Sequence, residues 1–304
     1  MSNETLDTLN RQFAIAGHLR FADGPGGLVV AMVDNAQAEA MIALSGGHVM
    51  TWAPRGEPPV LWLSGYARFA PGKSIRGGIP ICWPWFGPHD REASFSGHGF
   101  ARTVPWTVEK TEALDDGATR ITLALQQSEA TRAQWPHASS AQSVITVGRE
   151  LSVALTTRNL GAADFVLGEA LHTYLAVSDV RHAPIRGLEG CRYLDKVDGG
   201  QRKVQDGPIV IGGEVDRVYV DTTADCLIED EGLKRRIRIA KQNGRSTIVW
   251  NPWAAKAEKM GDFGPDGHLG MVCVESGNAV DNVVTVPAGG EHTLTVHYSV
   301  ERLG

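Results

Sequence analysis

Glu150-Leu-Ser-Val-Ala-Leu-Thr-Thr-Arg158 places Leu151, Val153 and Leu155 at every second position, with Ser152, Ala154 and Thr156 between them. A period of two marks a strand that buries one face, because successive side chains leave an extended chain on opposite sides. His292-Thr-Leu-Thr-Val-His-Tyr298 repeats the pattern, with Leu294, Val296 and Tyr298 set against Thr293, Thr295 and His297. Other short runs rich in Val, Ile, Leu and Thr recur between clusters of Gly, Pro, Asn and Asp. They are Leu28–Asp34, Ala38–Leu44, His48–Ala53, Thr119–Gln126, Ser143–Val147, Phe165–Val177, Arg235–Ala240, Thr247–Trp250, Met271–Glu275 and Asn282–Val286. Helix is expected only at Thr5–Ile15 and Ala254–Met260. So many strands with so little helix between them argue against βαβ units and predict an all-β fold, a large antiparallel β-sandwich. No repeat, low-complexity stretch or linker divides the chain, so residues 1–304 are read as one domain.

Composition narrows the function classes. The chain is 42% hydrophobic and 21% charged, and its 29 Lys plus Arg against 35 Asp plus Glu leave a net charge of −6. That balance offers no general attraction for nucleic acid or an anionic membrane, so neither is an expected partner. Cys82, Cys191, Cys226 and Cys273 are scattered without a Cys-x-x-Cys pair and read as reduced thiols. No apolar run is long enough to span a bilayer, and Met1–Thr5 lacks a basic-then-apolar leader pattern. A cytoplasmic monomer is the expectation.

Two stretches carry chemistry. Ile75-Arg-Gly-Gly-Ile-Pro-Ile-Cys-Trp-Pro-Trp-Phe-Gly-Pro-His89 and Gly97-His-Gly-Phe-Ala-Arg-Thr103 combine Gly, Pro, aromatics, Arg and His in a composition suited to a rigid binding loop. Pro80, Pro84 and Pro88 stiffen the path, and Gly77 and Gly78 would let a ligand approach the backbone. Arg76 and Arg102 offer planar charged forks for a phosphate or carboxylate, with Lys73 and Arg68 as further cations that could assist. A small anionic ligand is the first inference.

Strand alternation puts Gly168, Ala170, His172, Tyr174 and Ala176 on one face of their segment and Leu167, Glu169, Leu171, Thr173 and Leu175 on the other. His172 then stands among mostly small neighbours, either as a hydrogen-bonded surface histidine or as a proton-transfer group beside a ligand. Glu275 closes the apolar run Leu269–Glu275 before a turn-like Ser276-Gly-Asn278, where partial burial would raise its pKa. Asp216 could accept hydrogen bonds from ligand hydroxyls, but for an Asp-Arg dipeptide an ion pair with a nearby Arg such as Arg217 or Arg186 is the favoured reading. Trp83, Trp85, Trp250 and Trp253 read as packing residues, and Lys234–Arg238 as a solvated basic edge.

The two motif runs, with Leu171-His-Thr-Tyr174, Asp216-Arg-Val-Tyr219, Val249-Trp-Asn-Pro-Trp253 and Val272-Cys-Val-Glu275, resemble the hexose-6-phosphate mutarotases (glucose-6-phosphate 1-epimerases) of the galactose-mutarotase-like group. The resemblance implies a supersandwich fold and cofactor-independent exchange of the α and β anomers of an aldohexose 6-phosphate. It implies His172 and Glu275 as catalytic acid and base, with protonated His172 serving the ring oxygen and ionised Glu275 the C1 hydroxyl. It further implies Arg76, His98, Arg102 and Asp216 as substrate-binding residues, a small sugar phosphate as partner, and neither cofactor nor metal. Two other readings compete: a cupin-like enzyme with His98, His172 and Glu275 around a divalent ion, and a sugar-binding module without turnover. An unphosphorylated aldose is the alternative substrate.

Overall fold

Leu151, Val153 and Leu155 are fully buried and pair with Tyr298, Val296 and Leu294 of the strand Glu291–Arg302. The two apolar rows are thus one surface, each side chain contributing on the order of 1.5–3 kcal/mol by leaving water. The computed structural model describes residues 3–303, so the first two residues of the Met1–Thr5 stretch lie outside the described range. The rows belong to an antiparallel sheet of eight strands. Its order is Ile185–Arg186, Cys226–Asp230, Arg235–Gln242, Glu291–Arg302, Leu151–Asn159, Ser139–Val147, Thr119–Leu125 and Trp106–Ala113.

A second eight-stranded sheet takes in part of the first motif run, at Ile81–Cys82. It runs Gln201–Val204, Arg192–Asp195, Val215–Tyr219, Ser246–Asn251, Met271–Asn278, Glu169–Leu171 and Ile81–Cys82, with Tyr174–Ala176 also paired to Met271–Asn278. One face of each large sheet and one face of a four-stranded sheet built from residues 19–54 close over a shared core. That core includes Leu155, Val296, Val249, Val274, Ile42 and Trp52. The architecture is the expected antiparallel β-sandwich, with α-helices among the described residues only at Asn3–Phe13, Glu129–Gln134 and Trp253–Met260. None of these is long and apolar enough to cross a membrane.

Several segments depart from expectation for local reasons. Phe165–Val177 is three short strands rather than one, because Phe165–Leu167 pairs away with Val284–Val286 and the chain then breaks again at His172 and Thr173. Trp106–Ala113 and Gln201–Val204 were not anticipated; both lie at sheet edges, where charged side chains hide the alternation. Helix Glu129–Gln134 is nucleated by Ser128, which accepts the Thr131 N–H while the Thr131 hydroxyl accepts the Ser128 N–H. The basic run is corrected too. Arg235 is fully buried in an interior strand and donates to the carbonyls of Pro58, Pro59 and Ala176 at 2.9, 2.9 and 2.8 Å. A charged guanidinium is stable there because those three acceptors replace water.

Candidate active site

The face of the second sheet turned away from the core forms the floor of a cleft. Asp216 pairs with Trp250, Trp250 with Cys273 and Cys273 with Tyr174, so the four share one row across neighbouring strands. In the next row Val218 pairs with Ile248 and Ile248 with Glu275. Leu171 pairs with Ser276 and Tyr174 with Cys273, which sets His172 opposite Glu275. Ladder bonding lapses at this point: the His172 N–H donates to Pro80 O at 3.0 Å and the Thr173 N–H to Leu171 O at 2.9 Å. Glu275 does not end its strand, since Met271–Asn278 continues beyond it.

The glycine-rich runs wall the cleft by packing on their own protein. A Cβ on Gly78 would lie 2.3 Å from Val49 O, one on Gly77 2.5 Å from Trp62 O, and one on Gly99 1.9 Å from Trp83 O. All three glycines therefore admit neighbouring backbone, where the sequence reading had Gly77 and Gly78 admitting a ligand. The two runs join through the Phe100 N–H donating to Trp83 O at 3.0 Å and the His98 N–H to Gly87 O at 2.7 Å. That junction holds His98 at φ +66°.

The resulting cleft is ≈ 320 Å³, within the range of small-molecule sites. All six residues singled out from the sequence, Arg76, His98, Arg102, His172, Asp216 and Glu275, line it. His172 Nε2 lies 3.3 Å from Glu275 Oε1, with the side chains 12% and 2% exposed. Glu275 Oε2 and His172 Nδ1 have no hydrogen-bond partner. The imidazole stacks on Tyr174 at 4.9 Å and meets the edge of Trp250 at 5.9 Å.

Burial dominates the electrostatics of the pair. It pushes Glu275 well above the usual carboxylate range, with Asp216 adding to the effect, and pushes His172 well below the usual imidazole range, with His98, Arg102 and Arg76 adding. Burial thus favours the uncharged form of each group, opposite to the arrangement expected from sequence. His98 is driven down to about 3 by burial, then by Arg102 and Lys196. Its Nδ1 accepts the Gly87 N–H at 3.3 Å, so Nε2 carries the proton of the neutral ring.

The cations differ in how firmly they are held. Arg76 donates to Asp262 at 3.0 Å and to the Tyr174 hydroxyl at 2.8 Å, and lies over the Phe263 ring. Arg102 donates to Gly97 O at 2.8 Å and has no carboxylate partner among the described residues. Asp216 does not pair with Arg217 or Arg186: Arg217 donates to Gln205 and Arg186 to Glu229, and the nearest cation to Asp216 is Lys196 at 3.9 Å. Burial raises its pKa. Arg68 and Lys73 lie exposed outside the lining, whereas Lys196, Lys256, Ser74 and Trp250 belong to it. Lys196 comes from a segment with no legible pattern. Lys256 arrives on the helix Trp253–Met260, anchored by Asn251, which accepts the Trp253 N–H and donates to the His268 and Met271 carbonyls.

Residues 29–299 match the family model described as aldose 1-epimerase. The proteins named "Putative glucose-6-phosphate 1-epimerase" in Salmonella typhimurium and Escherichia coli are each 39% identical, over 81% and 82% of this chain and the same shares of their own. Among solved structures, the mutarotase-titled YeaD of Salmonella typhimurium superimposes with a TM-score of 0.88 at 34% identity, covering 95% of this chain and 96% of that one. A galactose mutarotase-like protein from Clostridium acetobutylicum shares the fold, with a TM-score of 0.73 at 12% identity over 94% and 98% of the two chains. The chain belongs to the aldose 1-epimerase family and is an isomerase of that type.

Proposed function

We propose that the enzyme interconverts the α and β anomers of an aldohexose 6-phosphate, glucose 6-phosphate first, by acid and base ring opening. The observation that carries the reading is the His172–Glu275 pair, 3.3 Å apart on the floor of a cleft walled by Arg76, Arg102, Lys196 and Lys256. Ring opening removes the C1 hydroxyl proton and delivers one to the ring oxygen. Two groups that share one proton supply both steps, and they exchange roles when the ring closes on the other face of C1. A bound phosphate dianion offsets Arg76 and Arg102, two of the charges that depress His172. Substrate binding thereby favours imidazolium beside carboxylate, the state that starts the reaction. In this reading His98 Nε2–H and Asp216, both in the cleft lining, hold sugar hydroxyls, and Arg102, free of a carboxylate among the described residues, is the principal phosphate ligand.

An unphosphorylated aldose is the second reading. It is favoured by the internal pairing of Arg76 with Asp262, Lys256 with Glu214 and Lys196 with Asp216. NMR exchange spectroscopy between the anomeric protons of glucose 6-phosphate, glucose and galactose separates the two. Faster exchange for the phosphorylated sugar alone supports the proposal; acceleration of free sugars alone replaces the substrate; no acceleration by folded protein refutes the activity.

A further inference from the structure

Cys273 has no part in the proton transfers above, yet it stands two residues from Glu275 on the same strand and face. The ligating atoms of His172, Cys273 and Glu275 all lie within 4.8 Å of one another. Cys273 and Glu275 are buried and the His172 side chain is 12% exposed. A second observation points to a ligand: Glu275 Oε2 is a buried polar atom without a hydrogen-bond partner among the described residues. Such orphaned atoms are costly in a dry setting and rare in native proteins.

The donor set is one imidazole nitrogen, one thiol sulfur and one carboxylate oxygen. That mixture suits Zn²⁺, with bond lengths of about 2.0–2.3 Å and a tetrahedral preference that leaves one position open beside three protein ligands. Tetrahedral bonds of this length separate donors by roughly 3.3–3.8 Å. Side-chain rotations of about an ångström would therefore close the three groups on one ion. Of the four cations in the wall, Arg76, Lys196 and Lys256 face Asp262, Asp216 and Glu214 at 3.0, 3.9 and 2.7 Å, which leaves Arg102 as the one whose charge opposes a dication without an offsetting carboxylate among the described residues.

We propose that His172, Cys273 and Glu275 form a site for a soft divalent cation of the zinc type, and that its occupancy blocks the enzyme. Binding needs only the three donors. Blocking rests on the proton-transfer roles proposed above, since a metal bound to His172 and Glu275 removes the lone pairs those steps use.

The test titrates Zn²⁺ into the metal-free full chain by calorimetry and Co²⁺ by absorption, where a thiolate ligand adds a sulfur-to-cobalt charge-transfer band in the near ultraviolet. One ion per chain is expected, together with that band and displacement of the ion by glucose 6-phosphate. Cys273→Ser should lose the band and weaken Zn²⁺ binding by about tenfold or more, as loss of even an outer partner of a metal site does. Cys273→Ala repeats the comparison should serine unfold the strand, and Cys82→Ser should change nothing. Added Zn²⁺ should inhibit anomer exchange by Cys273→Ser far less, relative to that variant's own metal-free rate, than it inhibits wild type. Equal Zn²⁺ affinity in wild type and both Cys273 variants would overturn the proposal, as would a band that saturating glucose 6-phosphate leaves intact in protein whose metal-free form exchanges its anomers. A cobalt band in folded protein whose metal-free form exchanges no anomers supports the site and refutes the proposed function, so the two failures are distinct.

Discussion

Two residues more than a hundred positions apart stand 3.3 Å from one another, and the proposed chemistry needs one proton held between them. His172→Gln and Glu275→Gln should each lower kcat by about 10²–10⁴-fold with little change in KM, because each removes a proton-transfer group and leaves the sugar contacts. Single-turnover NMR or polarimetry reads this, and a variant with unchanged kcat would remove its residue from the mechanism. The pH profile should be bell-shaped. Burial lowers His172, so a second proton is taken up only below the usual imidazole range; burial raises Glu275, so the shared proton is lost only above the usual carboxylate range. Arg102→Met should raise KM for glucose 6-phosphate by roughly tenfold or more, the worth of one charge-assisted hydrogen bond, and leave any turnover of free glucose unaffected.

At the scale of elements, the interrupted strand at His172 is held from the opposite sheet. Tyr298 of strand Glu291–Arg302 places its hydroxyl 2.5 Å from Thr173 Oγ1, which also donates to Leu171 O at 3.2 Å. Tyr298 shares its face with Leu294 and Val296, so the sequence reads it as core, and it is fully buried there. Its polar end nonetheless fixes the turn that presents the imidazole. Tyr298→Phe should cost about 1–2 kcal/mol in denaturant unfolding and lower kcat while leaving KM nearly unchanged. A stability loss with full kcat would make the contact purely structural. The face assignment of His172 was legible from alternation alone. Its break in pairing was not, because Pro80 O, the acceptor for its N–H, lies on a distant segment.

For the molecule as a whole, the two large sheets and the four-stranded sheet share one core, and we propose that residues 1–304 unfold as one unit. A single calorimetric transition is expected, and two resolved transitions would divide the chain. Acid should weaken that unit through His48, which is fully buried with Nε2 at 2.8 Å from Gly77 O and is driven down to about 4 by burial. A lowered folded-state value means its contribution is complete above the ordinary value of 6.5 and is lost as the pH falls through that value toward 4. The loss is roughly 3 kcal/mol at most. Urea unfolding of wild type and His48→Gln at a series of pH values should show a shallower acid decline in the variant; parallel declines would assign the effect elsewhere.

Alternation is a property of neighbouring residues, which is why the rows of Leu151, Val153 and Leu155 and of Leu294, Val296 and Tyr298 announced an antiparallel sandwich before any contact was known. The Gly, Pro, His and Arg content of Ile75–His89 and Gly97–Thr103 announced a rigid binding wall in the same way. Pairing is a property of distant residues. That His172 meets Glu275, that Lys196 rather than an arginine stands beside Asp216, and that Arg235 is buried while Arg102 stays without a carboxylate all depend on strand register. Register is set by the combined fit of the core and its backbone hydrogen bonds, which no single segment carries, since a slip of one residue would turn every side chain of a strand to the opposite face.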